Sequence, residues 1–111
     1  MSSKTHLFAQ TLMQNAVGAT ANGTVLNCDG MTDAVVQLSG TFSATVTWEA
    51  NVDGTNWIAV LATPLTTGTA ATTATAVGLY RVNVTSLHEL RARVSGFSSG
   101  NVTAIGRATA A

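Results

Sequence analysis

Charge is what this sequence has least of. Only 9% of its 111 residues are Asp, Glu, Lys or Arg, against roughly 25% in an average globular chain. Formal net charge is zero, so no bulk field draws the chain to nucleic acid or to an anionic membrane, and neither is expected as a partner. Aromatic residues are 5%, so bulky burial rests on Phe8, Phe42, Trp48, Trp57, Tyr80 and Phe97. A small domain with so little bulk gains from oligomer contacts. The single cysteine, Cys28, excludes an intrachain disulfide, and a lone cysteine in a β segment reads as a small buried apolar residue. No apolar run approaches the about 18 residues of a membrane-spanning helix. Residues 1–21 mix Lys4, His6, Gln10, Gln14 and Asn15 among short apolar groups, unlike a secretory leader, so synthesis in a cytosol is expected.

Groupings that carry chemistry are also missing. His6 and His88 lie far apart and Cys28 has no CxxC partner, which argues against zinc. Asp29 and Asp33, in DGMTD, lack an oxygen-rich calcium-loop pattern and read as turn carboxylates. Glu49 and Asp53 as a catalytic carboxylate pair are outweighed by a turn role for Asp53 and an ion pair for Glu49. Ser, His and Asp are present without a motif, and the glycines fall singly at turns rather than in a phosphate loop. No catalytic residue, metal or cofactor is assigned. Three Asn-x-Thr triplets (Asn22, Asn83 and Asn101) are expected in a Thr-rich chain without a leader.

What is present is alternation. In Gly40–Leu61 (GTFSATVTWEANVDGTNWIAVL), Phe42, Ala44, Val46, Trp48 and Ala50 alternate with Ser43, Thr45, Thr47, Glu49 and Asn51. Successive strand side chains point to opposite faces, so the first row is inward and the second outward. Asp53-Gly54 supplies the turn of a central hairpin, and Trp57 to Leu61 return. The same period puts Tyr80, Val82 and Val84 inward in Gly78–Thr85, and Leu90, Ala92 and Val94 inward in Leu87–Val94. Further strands are expected over Thr24–Cys28, Ala34–Leu38 and Val102–Arg107, with a turn at Phe97–Gly100 and a loose tail from Ala108. Pro64 marks a turn or strand edge, and the Thr69–Ala76 stretch an edge strand or loop. About seven or eight strands with Gly-centred turns indicate an all-β, antiparallel sandwich of jelly-roll or immunoglobulin-like topology. Residues 24–111 form this domain; residues 1–23 are an irregular N-terminal arm, in which Thr5–Gln14 reads as a short helix, an extended arm or a terminal strand of the same sheet.

Candidate interface residues follow from that layout. Leu7, Phe8, Leu12 and Met13 give the N-terminal segment an apolar surface. Arg81, Arg91 and Arg93 stand on outward rows and would share one face if their strands are neighbours, where they would grip carboxylates. Trp57 either caps the open end of the core or presents a ring for sugar stacking. Residues 1–55 set Lys4 against Asp29, Asp33, Glu49 and Asp53, whereas residues 56–111 set Arg81, Arg91, Arg93 and Arg107 against Glu89. This split serves either pairing within one subunit or a head-to-tail subunit contact.

TVTWEANVDGTNWIAV and TATAVGLYRVNVTSLHELRARVSGFSSGNVTAIGRA, within Ala34 to Arg107, resemble small β-sandwich virion proteins of tailed bacteriophages. The resemblance implies a non-enzymatic structural protein, made in the bacterial cytoplasm and placed on the capsid surface. Its implied role is capsid decoration (cement), with the major capsid protein as partner and a homotrimer as the assembly. The alternative is a tail, baseplate or carbohydrate-binding host-recognition module.

Overall fold

A computed structural model describes residues 8–110. Among these described residues ten strands form, all antiparallel where they pair: β1 (Phe8–Val17), β2 (Leu26–Asn27), β3 (Asp33–Ser39), β4 (Phe42–Asn51), β5 (Ile58–Ala59), β6 (Thr63–Pro64), β7 (Thr73–Ala74), β8 (Gly78–Asn83), β9 (Glu89–Gly100) and β10 (Val102–Thr109). They make two five-stranded sheets. The first runs β1-β10-β3-β8-β6; the second runs β2-β9-β4-β5, with β7 also on β4. Among the described residues there is no helix. This is the antiparallel sandwich that the alternation predicts, with four two-residue strands too short for any period to reveal.

The inward rows meet as expected. Val36, Leu38, Val46, Trp48, Tyr80, Val82, Leu90, Ala92, Val94 and Ala104 are buried in one core. The largest member, Trp48, packs on Tyr80 with ring centroids 5.2 Å apart, and the Tyr80 hydroxyl donates to the Ala76 carbonyl at 2.6 Å. Cys28 lies in the same core. Burial, then the charges of Asp29 and Glu89, push its thiol up to about 11, so it stays protonated and unreactive.

One open reading is decided and three local expectations change. Phe8–Val17 is the terminal strand given as one reading of this segment, paired along β10, so the sheet takes in part of residues 1–23; Leu7 lies outside the described residues. The central hairpin keeps its pairing, Glu49 with Ala59 and Ala50 with Ile58, but closes through a wide loop from Val52 to Trp57. The turn expected over Phe97–Gly100 is strand: β9 absorbs extra residues in a bulge opposite Ser43 and Thr45, and Gly96 supplies the positive φ. The tail is not loose at Ala108, which is fully buried and pairs with Ala9 and Ala34.

Two chain crossings fix how the sheets sit together. β3 leads to β4, and β9 leads to β10, each passing from one sheet to the other at the same end. The crossings touch. Asn101 N–H donates to the Thr41 carbonyl at 2.8 Å. Gly40 (φ 103°) and Gly100 (φ 89°) both occupy the left-handed region. A side chain on Gly40 would strike the Asn101 carbonyl, and one on Gly100 the Thr41 carbonyl and, at 2.8 Å, the Phe42 Cα. Neither obstacle is a flexible side chain. Gly100→Ala is therefore expected to cost about 3 kcal/mol or more, read as a lowered denaturant midpoint. Gly30→Ala, at similar φ but in open space, is expected to cost about 1 kcal/mol.

Candidate functional site

The outward rows show where the chain's few charges go. Glu49 on β4 lies directly opposite Arg91 on β9, and Thr47 opposite Arg93. The antiparallel register therefore brings both guanidiniums to one carboxylate. Arg91 Nε donates to Glu49 Oε1 at 2.9 Å and Arg93 Nε to the same oxygen at 3.0 Å, with Arg91 Nη2 also at 2.9 Å. Burial alone would raise the Glu49 carboxyl. Hydrogen bonds and charge from Arg93 and Arg91 outweigh it and hold the group below the usual glutamate range. On its other side the Arg91 guanidinium lies 4.2 Å from the centre of the Trp57 ring. The second sheet thus carries a stack of Trp57, Arg91, Glu49 and Arg93.

This placement settles several expectations. Trp57 does not cap the core end; the wide loop folds it onto the sheet face beneath Arg91. Arg81 does not share a face with Arg91 and Arg93: β8 belongs to the first sheet and β9 to the second. Arg81 instead pairs with Asp33 across β3 and β8 at 3.1 Å. Acids of the first half meet arginines of the second within one chain. Arg107 lies over the ring of Phe8 at 4.6 Å. Phe8 and Leu12 are 58% and 45% exposed, whereas Met13 is 1% exposed and belongs to the core. The reason is a bulge: the β1–β10 register shifts between Leu12 and Gln14, so Met13 and Gln14 both turn inward. Gln14 then donates to the Ala92 carbonyl at 2.8 Å and the Ala21 carbonyl at 3.1 Å, tying β1 to the opposite sheet. Nothing in the sequence alone signals that bridge.

The end of the sandwich opposite the crossings holds an open depression of about 370 Å³, lined by Asp29, Gly30, Val52, Asp53, Ser86, Leu87 and His88. Its Asp29, Asp53 and His88 side chains are engaged within the chain. Asp53 Oδ1 accepts from the Thr55 and Asn56 amides, both at 2.9 Å, and Oδ2 accepts from the Asn56 side chain at 2.7 Å. Those bonds, the Asn56 amide's foremost, hold the Asp53 carboxyl down to about 2. His88 Nδ1 meets Asp29 Oδ1 at 2.9 Å, and its Nε2 faces Glu89 Oε2 at 3.9 Å rather than the Ser86 hydroxyl. The Asp29 hydrogen bond raises the His88 pKa despite partial desolvation, with Asp29 and Glu89 charges adding to it. Among the described residues no three His, Cys, Asp or Glu side chains gather as metal ligands.

No family model and no curated protein matches the chain. Two solved structures share its fold. A crystal structure of the SPBc2 prophage-derived protein YomS is similar over 99% of both chains, with a TM-score of 0.88 at 13% identity. A crystal structure of the PBSX exported protein XepA is similar over 99% of this chain and 40% of its own, with a TM-score of 0.93 at 12% identity. At such identities the likeness is one of fold.

Two outcomes test this geometry. Glu49→Gln leaves two guanidiniums short of a charged partner and is expected to destabilise the fold by about 2 kcal/mol near neutral pH. Because the Glu49 pKa is depressed in the fold, its contribution is present above the ordinary glutamate range and is lost as pH falls through the folded value. The gap between wild type and variant in denaturant melts should therefore close below that range. In NMR titrations the His88 ring is expected to titrate above 6.5, and Asp29→Asn should move it back down towards that value.

Proposed function

We propose that the chain is a non-enzymatic structural subunit of a phage particle, in its most concrete form a capsid decoration protein that binds the assembled shell as an oligomer. One observation carries the reading: the chain shares its fold, over 99% of its residues, with 99% of a prophage-derived protein. The described surface supports it. Most of its charges are engaged in intrachain pairs and its open depression is built largely of turn-forming groups, while exposed apolar side chains such as Phe8, Leu12, Ile58 and Leu61 remain for contact. A subunit of this kind acts by mass action: binding the assembled shell better than free capsid protein shifts stability towards the shell. A tail or baseplate place is the alternative within the same class, and XepA, whose chain is more than twice as long, shows that this sandwich also occurs as part of a larger protein.

The test is location. Purified particles from a lysate containing the chain would be probed by mass spectrometry and by gold-labelled antibody in electron micrographs. Gold on the shell is expected; gold on the tail would select the alternative; absence of the chain from particles would overturn the reading.

A further inference from the structure

Among the described residues, the outermost strands of both sheets are short with one exception. β6 ends the first sheet with Thr63–Pro64, and the second ends in β2 on one side and in β5 and β7 on the other, each two residues long. β1 is the exception. It has ten residues, pairs with β10 on one side, and among the described residues has no strand on the other. Such an edge offers a row of free N–H and C=O groups unless charge, proline or a bulge blunts it. The bulges of β1 begin only after Leu12. Phe8-Ala9-Gln10-Thr11-Leu12 stays in unbroken register with β10 and contains neither charge nor proline. Its outward row is Phe8, Gln10 and Leu12, all exposed. That row borders a shallow groove of about 340 Å³ on the outer face, lined by Gln10, Val35, Gln37, Leu79, Ile105 and Arg107.

We propose that this edge is the seam of a two-fold dimer, Phe8–Leu12 of one copy pairing antiparallel with Phe8–Leu12 of a second copy about Gln10. Two features select a second copy as the occupant. β9 also keeps an unpaired side over Ser95–Gly100, but that stretch is broken by its own bulge at Gly96, whereas the regular Phe8–Leu12 edge of β1 can receive itself in an isologous contact. The register is also self-complementary. With the axis at Gln10 and perpendicular to the sheet, Phe8 faces Leu12, Gln10 faces Gln10, and Ala9 faces Thr11 on the inner side. Apolar meets apolar, amide meets amide, and the first sheets of both copies join into one continuous sheet. This deepens the reading as an oligomeric particle subunit and rests on it for its purpose; it gives a two-fold geometry in place of the three-fold one implied by the phage resemblance.

The experiment is mass by light scattering on the full chain across a wide concentration range, without particles, so that it reads independently of shell binding. Wild type is expected to move from monomer to dimer. Gln10→Lys sets two lysines opposite each other, each beside Arg107 of its own copy, and should weaken the dimer roughly three- to tenfold; Gln10→Glu should weaken it less, because Arg107 flanks each carboxylate. An equimolar mixture of the two variants should recover the dimer, which lost folding in either variant would not allow. A monomer at every concentration, an assembly other than a dimer, or a dimer indifferent to both variants and their mixture would overturn the proposal.

Discussion

Two backbone corners pressed against each other set the geometry of this sandwich. Gly40 meets the Asn101 carbonyl and Gly100 meets the Thr41 carbonyl, so the β3–β4 and β9–β10 crossings stand at backbone contact. Each crossing carries the chain from one sheet to the other. Their contact sets β10 beside β3 in the first sheet while β9 lies beside β4 in the second. The side of β10 away from β3 is then where β1 binds. The long strand edge of β1 is thus a consequence of two glycines at the far end of the strand that supports it.

Charge follows from the same topology. With β4 and β9 paired in one register, Glu49 has Arg91 opposite and Arg93 diagonally placed. With β3 and β8 paired, Asp33 has Arg81 within reach. A chain with so few charged residues thus spends most of the described ones on itself. Each exposed pair adds little to stability, about 0–1 kcal/mol; the less exposed Glu49 group, shared by two guanidiniums and flanked by Trp57, counts for more. What this leaves for other molecules is surface poor in charge, the β1 edge above all, with Arg107 on the outer face beside it.

Much of this was legible in the sequence because strand alternation is local. Trp48, Tyr80, Val82, Leu90 and Val94 fall on the inward side in the fold as they do in the pattern. What depends on pairing was not legible. The pattern places Arg81, Arg91 and Arg93 all outward, yet outward means opposite faces of the molecule once β8 and β9 belong to different sheets. Met13 looks like a surface residue until a bulge puts two consecutive residues inside. Trp57 depends on the path of a loop that hydrogen bonds to Asp53 shape more than any periodicity does. The turn signal at Phe97–Gly100 was real chemistry read at the wrong scale: Gly96 makes a bulge and Gly100 the crossing.

The claim that the chain closes its own charges and short edges and leaves β1 for a second copy can be read at single amides. Hydrogen exchange across Phe8–Leu12 would be followed by NMR at low and high protein concentration. Alternate amides of this segment, those pointing away from β10, should exchange freely when dilute and gain protection as concentration rises, while the amides facing β10 stay protected throughout. Exchange along β1 that is the same at both concentrations would contradict the seam.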